Sequence, residues 1–204
     1  MSDSERPVPV ASCHRYFLGF RPEPPLRAFL ARLRGDAGQR DHAIRDEHLH
    51  LTLCILAEAP ERERFTETRI SAALARRRPP SCPIRLGRLR AGRGGATLYG
   101  TGGQHEVRAF RQALLGLLAR RGLEPCRAPL RFQPHVTLGH DAVPPLRSLA
   151  PVEWVPRELL LIESEVGRSI HHVRGRWPLE PPAQSVLPFD APLQPLRAAG
   201  NGRR

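Results

Sequence analysis

Apolar and polar positions along the chain follow two periods, and these divide it into strands and helices. Alternation over two residues, with aromatic and branched side chains, predicts strands, whereas apolar residues three and four apart predict helices with one buried face. The pattern predicts helices at 24–34, 61–78 and 104–121. It predicts strands at 14–20, 48–56, 83–90, 96–100, 134–140, 158–165 and 170–177.

The first and third helices have the clearest limits. Pro24 and Pro25 begin the first, since proline suits the first turn of a helix, and Gly122 ends the third. Proline also ends the second helix, at Pro79–Pro80. The residues expected on the three buried faces are Leu26, Phe29, Leu30 and Leu33; then Phe65, Ile70, Ala73 and Leu74; then Val107, Phe110, Leu114, Leu117 and Leu118.

This order of elements predicts an α+β fold in one domain. Helices and antiparallel strands are mixed, and each half of the chain pairs a helical segment with a strand that carries His-x-Thr. We expect residues 1–12 to be a flexible leader, 13–179 the folded domain and 180–204 a disordered, proline-rich tail. The segment Gly92-Arg93-Gly94-Gly95 is interpreted as a hairpin turn, because no Gly-Lys-Ser/Thr follows it.

The two His-x-Thr segments are the main candidates for chemistry. They read His50-Leu51-Thr52-Leu53 and His135-Val136-Thr137-Leu138. On a strand, residues i and i+2 share a face, so each segment places an imidazole beside a hydroxyl and opposite an aliphatic face. If the nine histidines and six threonines were placed at random along the chain, roughly 0.26 His-x-Thr pairs would be expected. Two pairs in matching strand context therefore indicate a function. Leu49 and Ile55 are expected on the aliphatic face of the first strand.

Such a pair suits the opening of a cyclic phosphodiester. The reaction needs a base for the incoming water and an acid for the departing ribose oxygen, and histidine serves as either near neutral pH. Hydroxyl groups of Thr52 and Thr137 can donate to the non-bridging oxygens and hold the phosphate between the two rings.

Charge and cysteine content narrow the class of protein. The net charge is +12 and all 32 basic residues are arginine, which fits a polyanionic partner and equally fits a genome rich in G and C. The chain has no apolar run of membrane-spanning length and no signal-peptide pattern, so a cytoplasmic protein is expected. The cysteines are scattered, which argues against a thiolate zinc site or a disulfide framework; they are Cys13, Cys54, Cys82 and Cys126.

Across residues 14–178 the chain resembles the 2H phosphoesterase superfamily, specifically the RNA 2′,3′-cyclic phosphodiesterases, also called 2′-5′ RNA ligases. The most specific match is Phe132-Gln133-Pro134-His135-Val136-Thr137-Leu138. The first motif matches at Leu49-His50-Leu51-Thr52-Leu53, with Leu56 and Glu58 after it. Other matching segments are His14-Arg15-Tyr16-Phe17-Leu18 with Arg21-Pro22, and Glu163-Ser164, Gly167 and Arg176-Trp177-Pro178-Leu179.

The resemblance implies a bilobal fold of two pseudo-symmetric lobes of antiparallel sheet with flanking helices. Each lobe gives one His-x-Thr to a central basic cleft. It implies metal-independent hydrolysis of RNA 2′,3′-cyclic phosphate ends to 2′-phosphate without a cofactor, and reversible 2′-5′ ligation without ATP. His50 would be the proton donor and His135 the proton acceptor, while Thr52 and Thr137 bind the phosphate. The sequence alone does not assign the two histidine roles.

The resemblance also bears on partners. It implies RNA with a 2′,3′-cyclic phosphate end, tRNA halves among the candidates, or a small cyclic nucleotide, and we expect a monomer with no membrane partner. Arg131, beside the second motif, is a candidate phosphate ligand, as is Arg15 on the first strand. Many relatives carry a basic residue directly after the second motif, where this chain has Gly139-His140.

Two alternatives remain open. His48 and His50 have a His-x-His spacing that can bind zinc, with His171–His172 or His140–Asp141 completing a hydrolase site. A non-catalytic RNA-binding module on the same fold would also suit the arginine excess. The interpretation preferred for His171 and His172 is that they are solvated in a turn. Trp154 and Trp177 are expected to pack in the core.

Overall fold

The computed structural model describes residues 13–36, 43–92, 95–140 and 147–181. Its strands are β1 (Cys13–Phe20), β2 (Leu51–Ala59), β3 (Ile84–Gly92), β4 (Gly95–Gly100), β5 (His135–Gly139), β6 (Arg147–Trp154), β7 (Glu158–Val166) and β8 (Ile170–Pro178). Its helices are α1 (Pro24–Asp36), α2 (Arg64–Leu74) and α3 (His105–Ala119). In the described segments, no helix has the length and apolar character needed to cross a membrane.

The strands form two four-stranded antiparallel sheets, which confirms the predicted α+β, bilobal fold. Their orders are β2-β1-β7-β8 and β5-β4-β3-β6. The units β1-α1-β2 and β4-α3-β5 occupy equivalent places, each ending in an edge strand with a His-x-Thr segment. We call the sheet containing β2 the first lobe and the sheet containing β5 the second lobe.

The two edge strands are tied to each other by short exchanges of backbone hydrogen bonds. The segment that leads into β2 pairs with β5, where the amide of Ile44 donates to the carbonyl of Leu138 at 2.9 Å. The segment before β5 pairs with β2 in the same way, because Ile55 and Arg127 exchange bonds of 3.0 and 3.1 Å. Each edge strand is thereby held by the chain that leads to the other, which brings the two motifs to one cleft.

One continuous core fills the space between the sheets and the helices. Trp154 and Trp177 are buried in it, as predicted. From the motif strands it takes Leu51, Leu53, Val136 and Leu138; from the helices it takes Leu26, Leu30, Leu33, Ile70, Leu74, Val107, Leu114 and Leu118. The aliphatic side chains predicted on the opposite face of each histidine motif are therefore buried, and their packing anchors the two motifs in the fold.

A bulge in β2 changes the alternation that the sequence predicts. The register against β1 skips Leu53, because Leu18 pairs with Cys54 and Gly19 pairs with Thr52. Leu53 and Cys54 are consequently both buried, and the faces exchange beyond them. Ile55, predicted on the aliphatic core face, instead lines the cleft.

The side chain of Arg111 on α3 satisfies the backbone at this bulge. Its Nε donates to the carbonyl of Leu53 at 2.8 Å and its Nη2 to the carbonyl of Pro129 at 3.1 Å. Its guanidinium also lies 4.7 Å from the ring centroid of Phe132. Burial lowers the pKa of Arg111. One buried arginine thus connects the first motif strand to the segment that leads into the second motif.

We expect Arg111→Met to lower the free energy of unfolding by about 2 kcal/mol, because the buried carbonyl of Leu53 and the partly buried carbonyl of Pro129 lose their donor. Urea denaturation followed by circular dichroism measures the effect. Arg108→Met, one turn away and exposed, is the matched control and should change stability far less. Equal stability of the Arg111→Met variant and the parent protein would contradict this account of the bulge.

Several predicted elements differ in the structure. Helix α2 is shorter than predicted and Phe65 is exposed, beneath the guanidinium of Arg69. Strand β6 was not predicted. Glu180, placed by sequence in the disordered tail, pairs with Pro80 and is part of the fold. The leader 1–12, residues 93–94 of the predicted hairpin turn, and the tail from residue 182 lie outside the described residues.

Candidate functional site

The candidate site is a cleft of about 590 Å³ between the lobes, where the edge strands β2 and β5 approach each other. Both motifs contribute to its lining, through His50 and Thr52 from the first lobe and Thr137 from the second. Both threonines are half-buried, so their side chains reach the cleft. Its other lining residues include Arg15, Phe17, Arg45, His48, Ile55, His140, Ser164, Glu165 and His171.

The ring of His50 is oriented by a backbone carbonyl and an aromatic neighbour. Its Nδ1 donates to the carbonyl of His48 at 2.6 Å, and its centroid lies 4.7 Å from that of Phe17 on β1. Because a carbonyl oxygen can only accept, Nδ1 carries the proton and Nε2 is the nitrogen left to exchange one with a substrate.

The ring of His135 repeats this arrangement in the second lobe. Its Nδ1 donates to the carbonyl of Gln133 at 2.9 Å, again two residues earlier in the chain. Its centroid lies 5.5 Å from that of Tyr99 on the neighbouring strand β4. Nε2 is therefore the exchangeable nitrogen here too. His135 does not line the same cavity surface as His50, but its ring interacts electrostatically with that of His50.

Burial lowers the pKa of His50 to about 4. The hydrogen bond to His48 opposes this effect, whereas the charges of Arg21, His135 and His48 add to it. Burial lowers the pKa of a base because the charged form loses its hydration. His50 is therefore neutral near pH 7 in the free protein.

A cluster of three imidazoles surrounds this side of the cleft, and the sequence grouped these histidines only in the zinc-site alternative. The centroid of His171 lies 4.4 Å from that of His48 and 5.3 Å from that of His50. Burial, together with the charges of His50, His48 and Arg21, lowers the pKa of His171 to about 3. The prediction that His171 is solvated in a turn is wrong, because the turn is tight and β8 begins at Ile170.

His172, on the other face of β8, binds Glu165, with 2.8 Å between Nε2 and Oε1. It also lies on the strand rather than in a turn. Because β8 begins at Ile170, alternation along the strand places the side chains of His171 and His172 on opposite faces of the sheet. His48 is in a short 3-10 turn (Asp46–His48) before β2 rather than on the predicted strand. Within the described ranges, no three His, Cys, Asp or Glu side chains are placed to hold a metal ion.

Among the described residues, two arginines line the cleft, and the sequence suggested only one of them, Arg15, as a candidate phosphate ligand. Arg15 lines it, with its Nε 2.6 Å from a carboxylate oxygen of Glu58, and Arg45 lines it as well. Arg131 is exposed and lines a separate concavity beside Gln133. The structure thus brings Arg15 and Arg45, not Arg131, to the cavity lined by His50, Thr52 and Thr137.

Comparisons with known proteins agree with this architecture. The family model described as the 2′-5′ RNA ligase superfamily matches residues 22–168. The structure is similar to Escherichia coli LigT in apo form, with 21% identity, TM-score 0.62, and coverage of 83% of this chain and 99% of that chain. It is similar to LigT complexed with 3′-AMP, with 21% identity, TM-score 0.60, and coverage of 82% and 98%.

A third similar structure is TT0787 of Thermus thermophilus, with 23% identity, TM-score 0.54, and coverage of 82% of this chain and 98% of that one. A comparison with curated protein sequences gives no significant match. At these identities the structural likeness establishes the fold, and the family model covers most of the chain. The chain therefore belongs to the 2′-5′ RNA ligase superfamily of 2H phosphoesterases.

Proposed function

We propose that the protein hydrolyses 2′,3′-cyclic phosphodiester ends of RNA to 2′-phosphates, without a metal. The observation that carries the proposal is the repeated arrangement of His50 and His135. Each ring precedes or begins an edge strand of its own lobe, and each binds a carbonyl through Nδ1. Each therefore keeps Nε2 for proton exchange, as an acid and base on either side of one phosphorus require.

In the proposed reaction water attacks phosphorus in line with the bond to O3′. A new bond forms between phosphorus and the water oxygen, and the bond to O3′ breaks. His135 takes the proton of the water, and His50 gives its proton to O3′. Thr52 and Thr137 donate their hydroxyl hydrogens to the non-bridging oxygens. A 5′-hydroxyl in the place of water would give a 2′-5′ linkage by the same steps.

The low pKa of His50 places a condition on its role as donor. The ring is neutral in the free protein near pH 7, so it must take up its proton when substrate is bound. A phosphodiester anion beside the ring would favour the charged form and raise this pKa. The 3′-AMP bound to the similar LigT structure shows that a nucleotide phosphate is a ligand of that relative, which supports a nucleotide substrate here.

A turnover assay tests the proposal. The protein is incubated with RNA ending in a 2′,3′-cyclic phosphate, in excess chelator, and the products are separated from synthetic 2′- and 3′-phosphate standards. We expect formation of 2′-phosphate at an undiminished rate. Binding without turnover would favour the RNA-binding module, and loss of turnover that zinc restores would favour the His-x-His hydrolase.

The pH dependence of kcat/KM is expected to show an acidic limb near pH 4. The reaction needs a proton on one imidazole only, so activity falls at a pH low enough to protonate both rings, where neither can accept the proton of the water. His50 is protonated only below its lowered pKa. Because its pKa is lowered to about 4, that loss should occur well below the ordinary imidazole range. Initial rates on a cyclic mononucleotide, with circular dichroism to confirm folding at each pH, measure it. An acidic limb near pH 6.5 would contradict the burial of this ring.

A further inference from the structure

The cleft-facing side of the second lobe carries a regular array of side chains next to the second motif. Across the sheet, Arg88 pairs with Tyr99 and Tyr99 pairs with His135. One row further along, Arg90 pairs with Thr97 and Thr97 pairs with Thr137. Residues two apart on a strand share a face, so all these side chains lie on the face that carries the proposed catalytic pair.

Tyr99 is at the centre of this array. The Cζ atoms of Arg88 and Arg90 lie 5.8 and 5.9 Å from its ring centroid. Both arginines are exposed, whereas Tyr99 is half-buried and lies beside His135. An aromatic ring flanked by guanidinium groups combines a surface for stacking a base with charges that attract a phosphate.

The arginines next to the second motif differ in their partners from several arginines of the first lobe. Three arginines of the first lobe form ion pairs with glutamates, namely Arg15 with Glu58, Arg174 with Glu163 and Arg176 with Glu158. Arg88, Arg90 and Arg131 form no ion pair with any acidic residue in the described part of the chain. Positive charge without an ion-pair partner therefore lies on this face of the second lobe, where it is available to an anionic ligand.

A concavity of about 640 Å³ extends this surface beyond the second motif. It is lined by Arg88, Arg108 and Arg131, with Gln133 two residues before His135. Arg131 and Arg108 are exposed. The positive surface thus continues from the cleft, through Arg88, into a groove outside it.

We propose that Tyr99, Arg88 and Arg90 bind the nucleotides that precede the cyclic phosphate, so that the substrate is single-stranded RNA rather than a mononucleotide. The proposal rests on the proposed function, and it names the substrate of that site. A 2′,3′-cyclic phosphate stands at a 3′ end, so the remainder of the RNA extends from its 5′ side. The base of the preceding nucleotide stacks on Tyr99, and its phosphate is bound by Arg88 and Arg90.

The spacing of the strands fits this placement. Neighbouring strands are about 4.8 Å apart, so Arg88 is about 10 Å across the sheet from His135. Tyr99 lies between them and is therefore one step from the reacting phosphorus. Arg131 is further along the same path, where a second phosphate would pass. Arg131, which the sequence suggested as a ligand of the reacting phosphate, therefore binds a phosphate further along the RNA instead.

Comparison of two substrates tests the proposal. KM and kcat are measured for a 2′,3′-cyclic mononucleotide and for a short single-stranded RNA with the same end. We expect Tyr99→Leu to raise KM for the RNA about tenfold, and Tyr99→Phe to retain the parent value. Because Tyr99 also packs against His135, any change in kcat should be equal on the two substrates, and KM for the mononucleotide should change less than twofold. An unchanged KM for the RNA would overturn the proposal, because Tyr99 would then only support His135.

The charges are tested through salt dependence. Losing two phosphate contacts in Arg88→Gln/Arg90→Gln should reduce the slope of log KM for the RNA against log salt concentration by about 1.4. The control is Arg120→Gln/Arg121→Gln, which removes the same charge from the exposed end of α3 and should leave the slope unchanged. Equal slopes for both double variants would overturn the role of Arg88 and Arg90.

Direct binding separates this proposal from the proposed function. Fluorescence anisotropy of a labelled single-stranded RNA with a 3′-terminal phosphate requires no turnover. If the parent protein binds this RNA and the Tyr99 and Arg88/Arg90 variants bind it about tenfold more weakly, the surface is confirmed even if neither substrate is hydrolysed. Unchanged affinity in these variants would overturn it, whatever the turnover assay shows.

Discussion

His135→Ala and His50→Ala are each expected to lower kcat on a 2′,3′-cyclic phosphate about a thousandfold. Each ring would supply one of two proton transfers that occur on opposite sides of the same phosphorus. Without the acceptor the water remains a poor nucleophile, and without the donor O3′ leaves as an unprotonated alkoxide. The two losses should not add, because the groups act as one unit, so the double variant should be little slower than either single variant.

The measurement is single-turnover hydrolysis with chelator present, and circular dichroism confirms that each variant is folded. His172→Ala is the matched control. It removes an imidazole from the same sheet as His50, but one whose ring binds Glu165. This variant should keep kcat within about twofold. Turnover near the parent rate in either motif variant would remove the chemical basis of the proposed function.

The motifs themselves could be predicted because they depend on local order alone. Two strands with an imidazole and a hydroxyl on one face and leucine or valine on the other appear in the sequence as simple alternation. The structure confirms the buried aliphatic residues behind both, at Leu51 and Val136 for example. The helix limits at Pro24 and Gly122 were equally local, since each depends on the backbone geometry of one residue.

The errors have non-local causes. Ile55 lines the cleft because of a bulge whose unpaired carbonyl is bound by Arg111, a residue 58 positions away along the chain. Strand β6 contains Pro151, which the sequence pattern treats as a break but which an edge strand tolerates. The position of His171 beside His50 depends on how β8 pairs with β7, which no single segment encodes.

The candidate phosphate ligands show the same limit. Arg131 is close to His135 in sequence, yet it lines a different concavity, because it lies at a bend in the chain before β5 begins. Arg45 is five residues before His50, a similar separation, yet it does line the cleft, because the segment before β2 pairs with β5. Sequence distance predicts contact along one strand but not between two edge strands.

Gly19→Ala is expected to lower the free energy of unfolding by about 3 kcal/mol. At this position β1 approaches β2 more closely than a side chain allows. A Cβ on Gly19 would collide with the carbonyl oxygen of Leu51 and lie 3.2 Å from its carbonyl carbon. These are backbone atoms, so the collision cannot be relieved by a rotamer change, and the two strands must separate at the bulge.

The separation should also reach the site, because Leu51 lies between the two residues of the first motif. Displacing it moves His50 and Thr52 together, and moves His50 away from Phe17, against which its ring packs. We therefore expect kcat to fall about a hundredfold in the folded fraction, since small misplacements of catalytic groups have effects of this size. Turnover is measured well below the melting temperature, where the variant remains folded.

Gly35→Ala provides the matched control for this prediction. It makes the same chemical change at the exposed end of α1, where a Cβ meets no other atom. In a helix this change should raise the free energy of unfolding by about 0.5 to 1 kcal/mol, because alanine loses less conformational entropy than glycine. Opposite signs for the two substitutions, with turnover lost only in Gly19→Ala, would show that the close approach of β1 to β2 positions the first motif. A stable and fully active Gly19→Ala variant would show that the strands can separate there without moving His50.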